Sequence, residues 1–71
     1  MRFSDKVKEL LREHHISLGT FEKDTGIHRR FFYGQQARRP RKATIMAIAY
    51  YLGICVEELV VDTDAEDVWY E

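Results

Sequence analysis

The stretch Ser17 to Ala37, SLGTFEKDTGIHRRFFYGQQA, decides the fold. Ser17 suits a helix N-cap, because its hydroxyl can accept from a free first-turn amide. Leu18, Phe21 and Thr25 follow at spacings of three and four, which align on one helical face. Gly26 stands where the helix must end in a left-handed residue, and Ile27 follows as the apolar lid of that turn. His28-Arg29-Arg30-Phe31-Phe32-Tyr33 then opens a second, basic and aromatic segment, expected to be helical from about Arg29 to Gln35. Within it, Ile27, Phe32 and Gln35 are expected to face inward. His28, Arg29, Arg30 and Tyr33 are left toward solvent. Gly34 is unfavourable in a helix by about 1 kcal/mol relative to alanine, which implies a short helix or a close approach to its backbone.

A helix, a glycine-containing turn and a basic helix form the pattern that DNA-binding helix-turn-helix proteins use. An ordinary helical hairpin, with arginines that serve only solubility, is the competing reading. The charge of the whole chain argues for the first. The net charge is only −1, but it is sorted along the sequence. Residues 1 to 24 balance. From Thr25 to Val56 there is no acid, while Arg29, Arg30, Arg38, Arg39, Arg41 and Lys42 supply six cations. From Glu57 onward there is no base, and seven acids follow. A basic block of this kind is the footprint of a phosphate-binding surface.

Seventy-one residues make one small domain, for which oligomerisation is a natural source of extra stability. Cys55 is the only cysteine, so no intrachain disulfide forms and no paired-cysteine zinc site can be built. A reducing, cytoplasmic location is expected. No apolar leader and no membrane span are expected.

Outside the central stretch the pattern is helical throughout. Ser4 is expected to cap a first helix reaching about His14, with Val7, Leu10 and Leu11 as its buried stripe. His14 and His15 sit near its end. Neighbours on a helix diverge, so they make a poor metal pair. After a polar loop from Gln35 to Arg39, Pro40 precedes a helix with Ile45, Ile48, Ala49 and Leu52 on one face. Gly53-Ile54 repeats the Gly26-Ile27 stop. Arg41 and Lys42 lie at the positive end of that helix, where two cations make sense if an anion such as phosphate binds, or else are solvated at a cost of roughly a few tenths of a kcal/mol. Val56 to Val61 is expected to form a short fifth helix with Leu59 inward. In the tail, DTDAEDVWYE, Thr63-x-x-Glu66 reads as a capping box ahead of Val68 and Trp69. Docking of that segment on the body or on a second subunit is expected.

These residues resemble a known family, the Cro/CI-type (lambda-repressor-like, XRE) helix-turn-helix domains. The resemblance runs from about residue 3 to 60. It rests on Ile16-Ser17-Leu18, Phe21-Glu22 and Thr25-Gly26-Ile27, and on Pro40 with Ile45, Ile48-Ala49, Leu52-Gly53-Ile54 and Glu57-Glu58-Leu59. It implies an all-α, compact five-helix domain over residues 1–61, with residues 62–71 as a short acidic tail. It further implies a second motif helix in the major groove with its first turn on base edges. The implied base contacts are His28, Arg29, Arg30 and Tyr33, with Arg29 or Arg30 as the guanine reader. The implied phosphate contacts are Ser17, Arg38, Arg39, Arg41 and Lys42. The sequence departs from the family pattern at Leu18, at Glu22 and at Phe31-Phe32-Tyr33. Glu22 must then lie at the edge of the helix crossing, since otherwise it would be a buried charge. Phe31 has two candidate roles, contact with a thymine methyl or packing against the Arg38-Arg39 loop.

The expected function is a DNA-binding transcriptional regulator, a repressor acting as a homodimer on a two-fold operator. An antitoxin-like or protein-interaction module using the acidic Trp69-Tyr70 tail is the alternative. No cofactor and no catalysis are expected, because Cys55 and the three histidines fall on separate segments without a base, acid or nucleophile pattern.

Overall fold

The computed structural model describes residues 1–71. Its elements are α1 (Phe3–Glu13), α2 (Leu18–Thr25), two 3₁₀ turns (Arg29–Phe32 and Gln35–Ala37), α3 (Lys42–Leu52), α4 (Val56–Val60) and α5 (Glu66–Tyr70). The chain is all-helical with five α-helices, but they are not the five expected. The third expected helix, Arg29 to Gln35, is replaced by the two 3₁₀ turns, and the fifth α-helix belongs to the tail.

That replacement has a packing cause. Phe31 and Phe32 are both buried. Successive residues of an α-helix project about 100° apart, so one helical stripe cannot hold both well. Here Phe31 meets Phe3 edge-on at 6.0 Å, and Phe32 meets Phe21 at 6.0 Å. The two rings also contact each other at 5.1 Å, and Phe21 reaches Tyr51 at 5.7 Å. Edge-to-face rings thus run from α1 through the first 3₁₀ turn and α2 to α3. Each such pair contributes about 0.5–1.5 kcal/mol beyond its burial. Gly34 follows in an extended conformation and ends the turn. Phe31 thus spends most of its ring on the core and keeps only 7% of its surface exposed. Gln35, expected to point inward, is exposed, and Ala37 is buried in its place.

Around this ring chain the core collects Val7, Leu11, Ile45, Ile48, Ala49, Leu52, Leu59, Val60 and Ala65. α1 starts one residue earlier than its expected cap. Arg2 is the N-cap residue, and Ser4 lies inside the helix, buried, with its hydroxyl unpartnered. Helix ends use the left-handed stop repeatedly. Gly26 and Gly53 have φ of 76° and 70°. His15 adopts φ 57° with no glycine at all, and the Ile16 amide donates to the Leu11 carbonyl at 2.8 Å to close that end.

The acidic tail does not stand away from the body. Thr63 is buried; its hydroxyl donates to the Val60 carbonyl (2.7 Å) and accepts from the Ala65 amide (3.1 Å). This is a tight turn between α4 and α5, not the expected capping box, because the hydroxyl takes the Ala65 amide rather than that of Glu66. The Asp64 amide donates to the Met1 carbonyl at 3.0 Å, and Val68 and Trp69 pack half-buried on the core.

Candidate nucleic-acid interface

The surface that carries the basic block is built from the core outward. Phe31 and Phe32 anchor the first 3₁₀ turn from below. From above, His28 caps it, its Nδ1 accepting from the Arg30 amide at 3.1 Å. That bond uses the Nδ1 lone pair and leaves Nε2 as the ring nitrogen open to another partner. Glu22 ties the same turn to α2. Its carboxylate accepts from the Arg29 amide at 2.8 Å and lies 3.5 Å from the Arg29 Nε. The Arg29 main-chain bond is the chief reason the Glu22 carboxyl is held below its ordinary value of 4.5. Glu22 is thus a half-exposed tie at the helix crossing, and its charge is not buried.

With Arg29 drawn toward Glu22, Arg30 is the arginine of this turn left without an ion pair. It lies beside Tyr33, which is 74% exposed. Downstream, buried Ala37 and Pro40 pin the loop, so that Arg38, Arg39 and Arg41 project from a fixed backbone. No side chain caps the start of α3, where Arg41 is the N-cap residue. The unpaired first-turn amides of that helix therefore add their partial positive charge to the cations.

A concavity of about 820 Å³ gathers these groups. His28, Arg30, Tyr33, Arg39 and Arg41 all line it, together with Gln35, Gln36 and Thr44 and the apolar floor of Ile27 and Phe31. No acid lines it. Of the six cations expected on one surface, three, Arg30, Arg39 and Arg41, are brought together here. Arg29, Arg38 and Lys42 are exposed but lie outside the lining. Ser17 is on a different cleft, with Lys8, Leu11, Arg12, Ile16 and Leu18. Its hydroxyl accepts from the Thr20 amide (3.1 Å) and donates to the Thr20 hydroxyl (2.9 Å). A phosphate would therefore have to draw that proton away from Thr20.

Four features of this region were not foreseen. Gln35 and Gln36 line the concavity, and Thr44 donates to the Gln36 side chain at 3.3 Å. Glutamine amides suit adenine edges, so the Gln35-Gln36 pair was itself a readable signal. Glu71 reaches back to the basic surface, its carboxylate 3.3 Å from Arg39 and its main-chain oxygen accepting from Lys42 at 3.1 Å. Lys8, on α1, stands 5.8 Å from the centre of the Tyr33 ring.

A family model for the Cro/C1-type HTH DNA-binding domain matches residues 6–65, most of the chain. The chain belongs to that family, a class of DNA-binding helix-turn-helix domains. No curated protein and no solved structure matches it. No helix is long and apolar enough to cross a membrane, and no group of three or more His, Cys, Asp or Glu side chains is arranged to hold a metal ion.

Proposed function

We propose that this protein is a sequence-specific double-stranded DNA-binding transcriptional regulator that represses by occupying its operator as a homodimer. The carrying observation is the acid-free concavity where His28, Arg30 and Tyr33 meet Arg39 and Arg41. Base readers and phosphate clamps must lie side by side on one surface, since a groove edge and its flanking backbone are adjacent on the duplex. In this reading the first 3₁₀ turn approaches the major groove. Arg30 offers its guanidinium fork to guanine O6 and N7. His28 Nε2 and the Tyr33 hydroxyl are further polar groups beside it. Arg39, Arg41 and Lys42, with the open start of α3, take phosphates on one strand, and Arg38 lies next to them. Ser17 and the first turn of α2 take a phosphate on the other.

Occlusion of a promoter needs tight binding and no further activity, which favours repression over activation. For the homodimer, the outer face of α3 offers support. Ala43, Met46, Ala47 and Tyr50 follow at helical spacing, are uncharged and are all exposed, Tyr50 to 90%. Two such subunits would set their reading turns about 34 Å apart, one turn of DNA. The tail reading has less support, because Trp69 and Val68 are half-buried against the core.

The test is selection of duplexes from a random pool, followed by binding of the selected site across a salt series. A two-fold symmetric site with affinity falling steeply in salt is expected. Failure to enrich any sequence, with a flat salt response, would refute the proposal.

A further inference from the structure

The first 24 residues carry equal numbers of acids and bases, and in sequence they look electrostatically silent. In space they are not. Asp5 is engaged by Arg2 at 3.3 Å, Glu22 by Arg29, and Asp24 accepts the Tyr51 hydroxyl at 2.7 Å. Lys8 and Arg12 have no such partner, since the ion pairs of the protein are Arg2–Asp5, Arg29–Glu22 and Arg39–Glu71; Glu9 and Glu13, also on α1, are unpaired too but do not line the cleft that the two cations share. The two lie four residues apart on one face of α1 and line the cleft of about 350 Å³ that also holds Ser17. The Lys8 ammonium lies 5.5 Å from the Phe32 ring centre and 5.8 Å from that of Tyr33. It therefore sits between the Ser17 cleft and Tyr33, which lines the larger concavity.

We infer that Lys8 and Arg12 form a second phosphate-binding strip on α1, continuous through Tyr33 with the surface described above. This rests on the DNA-binding reading and extends its footprint to an element outside the helix-turn-helix. The ligand is backbone phosphate of the duplex, on the strand that passes the start of α2. Lysine and arginine on flexible stems beside a ring suit a charge contact that carries no base information. A purely structural account exists for each residue. Arg12 complements the dipole at the end of α1, and Lys8 sits over aromatic faces. Those roles affect folding stability and leave the salt dependence of binding alone.

Full-length wild type, Lys8→Met, Arg12→Met and the double variant are titrated with the selected duplex and a scrambled one at several salt concentrations. Methionine keeps an unbranched stem against Phe32 and removes the charge. The slope of log affinity against log salt should fall by ~0.9 for each residue, which is ~3.5-fold per contact across a fourfold salt change. Losses should be the same on both duplexes. Circular dichroism melts accompany each variant, and Arg12→Met reads the same slope if Lys8→Met does not fold. Wild-type slopes in Arg12→Met and in every folded variant overturn the inference. A loss confined to the selected duplex also overturns it, since that would be base reading. A wild type without salt-dependent binding refutes the DNA reading itself, and this inference with it.

Discussion

Arg30 and Arg29 are neighbours of identical chemistry, and the structure separates them. Arg30 lines the basic concavity without an ion pair, while Arg29 turns to Glu22 through its amide and its Nε. Replacing Arg30 by methionine leaves no carboxylate unpartnered in the free protein, so folding should change by no more than about 0.5 kcal/mol. On the duplex the loss is a bidentate guanine contact, about 1–3 kcal/mol, or ~5- to ~150-fold in affinity. That loss should fall on one guanine position of each half-site. Arg29→Met keeps the main-chain bond to Glu22 and loses only the longer side-chain contact. It should weaken all duplexes alike and by less than about fivefold. Fluorescence anisotropy on the selected duplex, and on a set with each half-site position changed in turn, measures both. If Arg30→Met discriminates at every position as wild type does, the assignment of Arg30 is wrong. The same holds if Arg29→Met is the variant that flattens a guanine preference.

Three smaller predictions follow from other contacts. Ser4→Ala removes a buried hydroxyl that has no partner and improves helix propensity, so it should stabilise by about 1 kcal/mol and raise Tm by ~4–8 °C; a lower Tm would contradict the burial argument. The Glu22 carboxyl is held below 4.5 in the fold, so its contribution to stability is complete above that value and is lost as pH falls through the lower folded one. Denaturant melts of Glu22→Gln should therefore show a flatter decline below pH 4.5 than wild type, and parallel curves would exclude the Glu22–Arg29 tie as the cause. The Glu71 carboxylate occupies Arg39 through an exposed contact, so Glu71→Gln should tighten duplex binding at low salt by up to about fivefold, with the gain vanishing at high salt; unchanged affinity at low salt would show that this carboxylate does not compete with phosphate.

Much of the architecture was legible before any coordinates. The stops at Gly26 and Gly53 were readable because a left-handed residue is a local demand that glycine meets without steric cost. The inward faces of α1 and α3 were readable because helical period lies within a window of a few residues. The charge sorting pointed to the right segment but not to the arrangement, since all six cations fall in one acid-free stretch and only Arg30, Arg39 and Arg41 line the concavity. His15 shows the limit of such signals. It ends α1 in the left-handed region, yet no glycine marks it.

What the sequence determined by itself was therefore the family, the helical class, and the acid-free stretch that carries six cations. What only the tertiary structure decided was how that surface is assembled. Phe31 and Phe32 are both drawn inward because Phe3 and Phe21, on other helices, offer them edges, and this breaks the expected reading helix into 3₁₀ turns. Glu22 selects Arg29 and leaves Arg30 open; Lys8 arrives beside Tyr33 from α1, and Glu71 returns to Arg39 across the length of the fold. The physical reason is range. Propensity and period act over a few residues, whereas ring packing and charge pairing join residues brought near one another only by the collapse of the core.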